Sequence, residues 1–137
     1  MKIADGDFLL PVDKSVGPTS HDVVGMARRA LGTRRVGHTG TLDPFASGLL
    51  VLCVGRATRL SEYFSGLDKR YEAAARLGAE TDPLDHEGEV ISGHDGWQPL
   101  DRAAIESAAR EQVGHLEQVP PQFSAKKVDG ERMHRRA

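Results

Sequence analysis

The chain has 137 residues, of which 39% are hydrophobic and 28% charged, enough for one soluble domain with a core of its own. No apolar run approaches the roughly 18 residues of a membrane span, residues 1–7 lack the apolar stretch of a signal peptide, and the single cysteine, Cys53, excludes an intrachain disulfide and a cysteine-rich metal site. A cytoplasmic protein is expected, and its net charge of −2 speaks against a nucleic-acid partner only as an average.

Taken in chain order, residues 8–13 read as a short strand, with Pro11 implying an edge or a strand end. Thr19 or Ser20 caps a helix that carries Asp22 in its first turn and runs to about Leu31, before Gly32. Residues 37–48 hold three glycines and Pro44, which break both helix and strand and predict a loop where glycine can supply positive φ. The loop runs straight into Leu49-Leu50-Val51-Leu52-Cys53-Val54, read as a buried strand in which Cys53 is a small hydrophobe.

Leu60, Tyr63, Phe64 and Leu67 fall at i, i+3, i+4 and i+7, the stripe of an amphipathic helix beginning near Arg56. In residues 70–77, Tyr71, Ala73, Ala75 and Leu77 alternate with Glu72 and Arg76, which predicts a strand. A turn-rich acidic stretch then leads to the short run Val90-Ile91. Asp101 caps a last helix whose face is Ile105, Ala108, Ala109 and Val113, closed by Gly114. From Pro120 onward the weak periodicity predicts a long loop. The order is that of an α+β protein.

Charge is segregated along the chain. Residues 1–76 carry a net of +3, residues 77–118 a net of −8, and residues 119–137 a net of +3. The cations cluster as Arg28-Arg29 with Arg34-Arg35, Arg56 with Arg59, Lys69-Arg70, and Lys126-Lys127 with Arg132, Arg135 and Arg136. Converging on one face, they could bind phosphates; apart, they are ordinary solvated surface.

Several chemistries are excluded by motif. Neither a nucleotide phosphate loop nor a dinucleotide fingerprint is present, and Ser47 lacks the glycine spacing of a nucleophile elbow. The acids at 82–87 do not match an EF-hand loop and read as a solvated turn. The six histidines are scattered, and nothing calls for a metal. Asp43 stands apart as the only acid between Asp22 and Glu62, in a loop tied directly to the buried strand. From these residues alone it is either an Asx-turn ahead of Pro44 or a rigidly held reacting carboxylate.

A resemblance decides between the two. Arg35-Val36-Gly37-His38-Thr39-Gly40-Thr41-Leu42-Asp43-Pro44, with Ser47-Gly48-Leu49-Leu50 and Gly55-Arg56-Ala57-Thr58-Arg59-Leu60, resembles the signature of the TruB-type tRNA pseudouridine synthases. Asp13-Lys14 with Gly17-Pro18-Thr19-Ser20-His21-Asp22-Val23-Val24 is similar to the family's opening motif. Lys69-Arg70-Tyr71 through Asp85-His86-Glu87-Gly88 is similar to its second strand and turn, and residues 118–130 to its RNA-gripping thumb loop.

The resemblance implies a mixed β-sheet flanked by helices and the isomerisation of uridine to pseudouridine in the T-arm of tRNA, without cofactor. It implies Asp43 as the catalytic nucleophile, attacking C1′ or C6. Tyr71 becomes the platform for a flipped base, His38 the residue ordering that nucleotide, and Lys14 a further group near the site. Arg56, Arg59, Lys126, Lys127 and Arg132 become RNA contacts, and no membrane or protein partner is required. Ser15 stands where the family has proline, and His134 where the thumb has tyrosine. Family members continue past position 137, so residues 1–137 are expected to be a truncated catalytic domain with 118–137 as thumb. The missing remainder would hold the arginine that pairs with the catalytic aspartate. A non-catalytic RNA-binding remnant is the alternative; a phosphatase-like hydrolase is disfavoured, because position 45 is Phe where a second aspartate belongs.

Overall fold

Strand alternation organises the N-terminal half. In β1 (Phe8–Lys14), Phe8, Leu10 and Val12 turn inward while Leu9, Pro11 and Asp13 are exposed, as a two-residue period requires. The computed structural model describes residues 6–82, 85–93 and 98–117, with the backbone of 127–128 and 131–132. The chain divides into two compact units, Met1–Glu72 and Ala73–Ala137.

In the first unit, β1 pairs antiparallel with β3 (Gly48–Val54) from Phe8 opposite Val54 to Lys14 opposite Gly48. On the other side of β3 lies β2 (Val36–His38), giving the order β1-β3-β2. Pro11 therefore occupies an edge strand, the one place its missing N–H is harmless. β2 is an element the glycine count concealed: Gly37 sits within it, and only Gly48 of the three loop-flanking glycines has positive φ, at 133°.

Helix α1 (Ser20–Leu31) starts at Thr19, whose hydroxyl accepts from the Asp22 N–H while the Asp22 carboxylate accepts from the Thr19 N–H. This reciprocal capping satisfies two orphan donors. The helix ends on Gly32, as expected. Val23, Val24 and Leu31 join Val36, Leu50, Leu52 and Val54 in one buried cluster. Each such side chain contributes about 1.5–3 kcal/mol on burial. β3 is the buried strand foreseen, except that Leu49 at its start stays 69% exposed.

The expected helix from Arg56 takes a different form. Residues Gly55–Leu60 form a 3₁₀ segment and only Ser61–Ser65 form helix α2. Only Leu60 of the stripe lies in the 3₁₀ segment and Leu67 falls past the end of α2, so no continuous helical face gathers the four residues. Leu60, Tyr63 and Leu67 are accordingly 47%, 76% and 60% exposed. Residues 70–77 are not a strand: no ladder partner pairs with them among the described residues, and alternation alone satisfies no backbone hydrogen bonds.

In the second unit, β4 (Ala79–Asp82) and β5 (Glu89–Gly93) form an antiparallel hairpin that contains the foreseen Val90-Ile91 run. Helix α3 (Arg102–Glu111) starts from Asp101, whose carboxylate accepts from the Ala104 N–H. None of its residues is buried, and Ile105 is 47% exposed. β6 (Lys127–Val128) and β7 (Glu131–Arg132) pair as a minimal ladder. The rest of residues 118–137, expected as a thumb, lies outside the described residues, Lys126 included, as do the side chains of Lys127 and Arg132. The architecture is α+β, and every ladder among the described residues is antiparallel.

Candidate active site

The backbone from Thr39 to Ser47 joins β2 to β3, and its anchors come from four elements. At its start, the Thr39 N–H donates to the Val51 carbonyl (3.1 Å), and the Ser65 hydroxyl donates to the Thr39 carbonyl (2.7 Å). In the middle, the Ser20 hydroxyl donates to the Leu42 carbonyl (3.0 Å) and accepts from the Leu42 N–H (2.9 Å). Beyond Asp43, the Gly17 N–H donates to the Pro44 carbonyl at 2.8 Å. The Ala46 N–H closes a turn onto the Asp43 carbonyl at 3.1 Å. Gly48, left-handed, then turns the chain into β3.

Beneath this loop lies Lys14, only 1% exposed. It follows Phe8, Leu10 and Val12 on the inward side of β1, so the pleat itself carries the ammonium into the protein. There Nζ donates to the carbonyls of Ala46 (2.6 Å), Ser15 (3.0 Å) and Pro44 (3.3 Å), matching its three donors. No carboxylate pairs with it among the described residues. A buried cation held only by carbonyls is tolerable when every donor is used, and here two of the three acceptors belong to the Asp43 loop.

Asp43 itself is exposed. Among the described residues its carboxylate makes no hydrogen bond or ion pair, although the backbone on both sides of it is fixed. His38, the last residue of β2, leads into the loop, and its buried Nδ1 has no hydrogen-bond partner among the described residues. Tyr71 is 68% exposed in an irregular stretch. No hydrogen bond ties it, Arg56 or Arg59 to the loop among the described residues.

Arg56 and Arg59 lie on the 3₁₀ segment that follows β3, past the end of the strand opposite Gly48. Arg56 is ion-paired: Asp7 accepts from its backbone N–H and from Nε, both at 2.5 Å. Gly55 is left-handed (φ 67°), and a Cβ there would collide with the Asp7 carboxylate and the Gly6 carbonyl. The Arg56 N–H, then its guanidinium, hold the Asp7 carboxyl below its ordinary value. Arg59 is exposed and without an ion-pair partner among the described residues. Burial pushes the Cys53 thiol up, as suits an inert core group.

Among the described residues this glycine-framed loop presents one unpaired carboxylate. A family model described as TruB family pseudouridylate synthase (N terminal domain) matches residues 28–137. The chain belongs to this family. It is 51% identical over 135 residues to the tRNA pseudouridine synthase B of Thermobifida fusca, covering 98% of this chain and 45% of that protein. It is also 51% identical over 128 residues to that of Arthrobacter sp., and 44% identical over 128 residues to that of Geobacillus kaustophilus. These alignments cover 93% of this chain and 42% and 45% of the relatives. The chain thus spans a little under half the length of those TruB family relatives. Within the TruB family match fall His38, Asp43, Arg56, Arg59 and Tyr71, whereas Lys14 and Ser20 precede it.

Sequence reading missed Ser20, Gly17 and Ser65 as loop anchors, and Asp7 as the partner of Arg56. Only Ser20 left a trace: with Thr19 available as the cap, its own hydroxyl was free for another bond.

Proposed function

We propose that this chain carries the carboxylate-bearing portion of a tRNA pseudouridine synthase, which isomerises a uridine in the T-arm of tRNA. The observation that supports this most is the pairing of an exposed Asp43 carboxylate, unpaired among the described residues, with backbone anchored at both Leu42 and Pro44. A nucleophile must reach its target from a fixed position, because effective molarity comes from orientation already established. An Asx-turn would instead spend the carboxylate on nearby N–H groups, and no N–H donates to the Asp43 carboxylate among the described residues.

In this reading Asp43 attacks the flipped nucleotide at C1′ or C6 and the N1–C1′ bond breaks; the base turns, the C5–C1′ bond forms as the bond to Asp43 is released, and C5 loses its proton while N1 takes one up from solvent. Both bonds belong to one nucleotide, so no cofactor enters. Tyr71, exposed and aromatic, stacks on the base. His38 orders the nucleotide at the loop entrance. Arg59, Lys126, Lys127 and Arg132 meet phosphates, joined by the exposed side of Arg56. Lys14 serves from beneath, clamping Pro44 and Ala46, since its 1% exposure leaves no surface for RNA.

The test joins residues 1–137 to the C-terminal part of the Thermobifida fusca relative and measures pseudouridine in a T-arm stem-loop. The parent is expected to turn over. Asp43→Asn is expected to lose on the order of ten thousandfold in rate, as for loss of a catalytic nucleophile, with RNA affinity unchanged. Retained turnover in Asp43→Asn would remove the nucleophile assignment; RNA binding without turnover by the parent would favour the non-catalytic RNA-binding alternative.

A further inference from the structure

We infer that Ser20 is a positioning residue for Asp43, acting through both backbone groups of Leu42; this rests on the proposed role of Asp43. The Ser20 side chain is 2% exposed and its hydroxyl is used in both directions, donating to the Leu42 carbonyl and accepting from the Leu42 N–H. A hydroxyl is the smallest side-chain group that can do both at once. It thereby replaces a strand partner for one residue of a loop that has none.

Two features make this anchor stiff. Ser20 is the first residue of α1, directly after Thr19, and the capping box of Thr19 with Asp22 fixes that turn. Leu42 also packs its own side chain against the core cluster, so the peptide and side chain are held together. On the far side of Asp43, the Gly17 N–H and Lys14 hold Pro44. Gly17, Ser20 and Lys14 all belong to the segment from the end of β1 to the start of α1. One short stretch of chain therefore fixes the residues before and after the carboxylate while touching neither it nor the substrate. Loss of the Ser20 hydroxyl frees the N-terminal side alone and lets the carboxylate swing, where a shift of about 1 Å costs on the order of a hundredfold in rate.

The experiment compares Ser20→Ala, Ser20→Thr and Ser20→Cys in the fused enzyme described above, with amide exchange of Leu42 read in residues 1–137. Ser20→Ala is expected to lower kcat about 10- to 100-fold with KM for the stem-loop within about twofold, and to speed exchange at Leu42. Ser20→Thr, which keeps the hydroxyl, is expected to recover most of kcat. Ser20→Cys, a weak donor, is expected to lower kcat over the same range and keeps the test readable should the alanine variant fail to fold. Val54→Ala, at the distant end of β3, supplies a matched loss of thermal stability and is expected to leave kcat unchanged. The inference is overturned if Leu42 exchange is unaltered, if the Ala and Cys variants keep kcat within about threefold of the parent, or if Val54→Ala loses as much as they do. An active Asp43→Asn enzyme would instead remove the underlying assignment, whatever Ser20 does.

Discussion

Helices α1 and α3 begin with equally good local chemistry and end in different circumstances. Thr19 and Asp101 both accept a hydrogen bond from the N–H three residues on, and both helices carry an apolar stripe. Yet α1 buries Ser20, Val23, Val24 and Leu31, whereas α3 buries nothing. A cap and a stripe suffice to start a helix, because they satisfy orphan donors and sort polar from apolar faces. They do not create the surface that the stripe needs. In the first unit β3 supplies that surface, since its neighbours β1 and β2 leave one face of Leu50, Leu52 and Val54 for α1.

The sharpest way to break this comparison is to truncate one apolar side chain in each unit. Leu52→Ala, at a fully buried position, is expected to cost about 2–5 kcal/mol. Ile105→Ala, at 47% exposure, is expected to cost less than about 1 kcal/mol, since little apolar area returns to water. Urea unfolding of the two variants measures both; equal losses would mean that α3 is as well supported as α1.

Lys14→Met tests what fixes the Asp43 loop within the better-packed unit. The change preserves most of the side-chain volume and takes the donor from the Ala46 and Ser15 carbonyls, while Pro44 keeps the Gly17 N–H. A loss of about 2–4 kcal/mol is expected, the scale of stranded buried acceptors, together with faster amide exchange across residues 42–47. If stability is unchanged, the three carbonyl contacts are incidental.

The smallest expected effect is a pH dependence confined to the first unit. Asp7, through the Arg56 N–H and guanidinium, and Asp22, through the Thr19 hydroxyl and N–H, both sit below the ordinary value of 3.8. A carboxyl whose folded value is depressed adds stability that is complete above the unfolded value and lost as pH falls through the folded one. Thermal unfolding of the first unit should therefore soften below about pH 4, and the Asp7→Asn, Asp22→Asn double variant should soften less over that window. Both carboxylates are solvent-screened, so the change is a modest shift in midpoint. An identical pH profile in the double variant would mean that neither bond matters to folding.

The sequence by itself determined those features whose cause is local. Pro11 on an edge strand, Thr19 before α1, Gly32 after it, the buried Cys53 and the Asp101 cap each follow from one residue's geometry or hydrogen-bonding capacity. The signature around Asp43 identified the family for the same reason, since a motif is contiguous in the chain. Tertiary structure decided everything that needed a partner. Residues 70–77 alternate like a strand but have no neighbour to pair with among the described residues, and the stripe after Arg56 is cut short where α2 ends at Ser65. Arg56 turned out to be paired with Asp7, 49 positions away, a contact no local pattern encodes. Lys14 falls between the two cases. Extending the inward phase of Phe8, Leu10 and Val12 by one step points it into the core, but only the folded chain supplies the Pro44 and Ala46 carbonyls, 30 and 32 residues on, that let a charge remain there. Burial of a polar group is affordable only where acceptors converge, and convergence is a property of the fold.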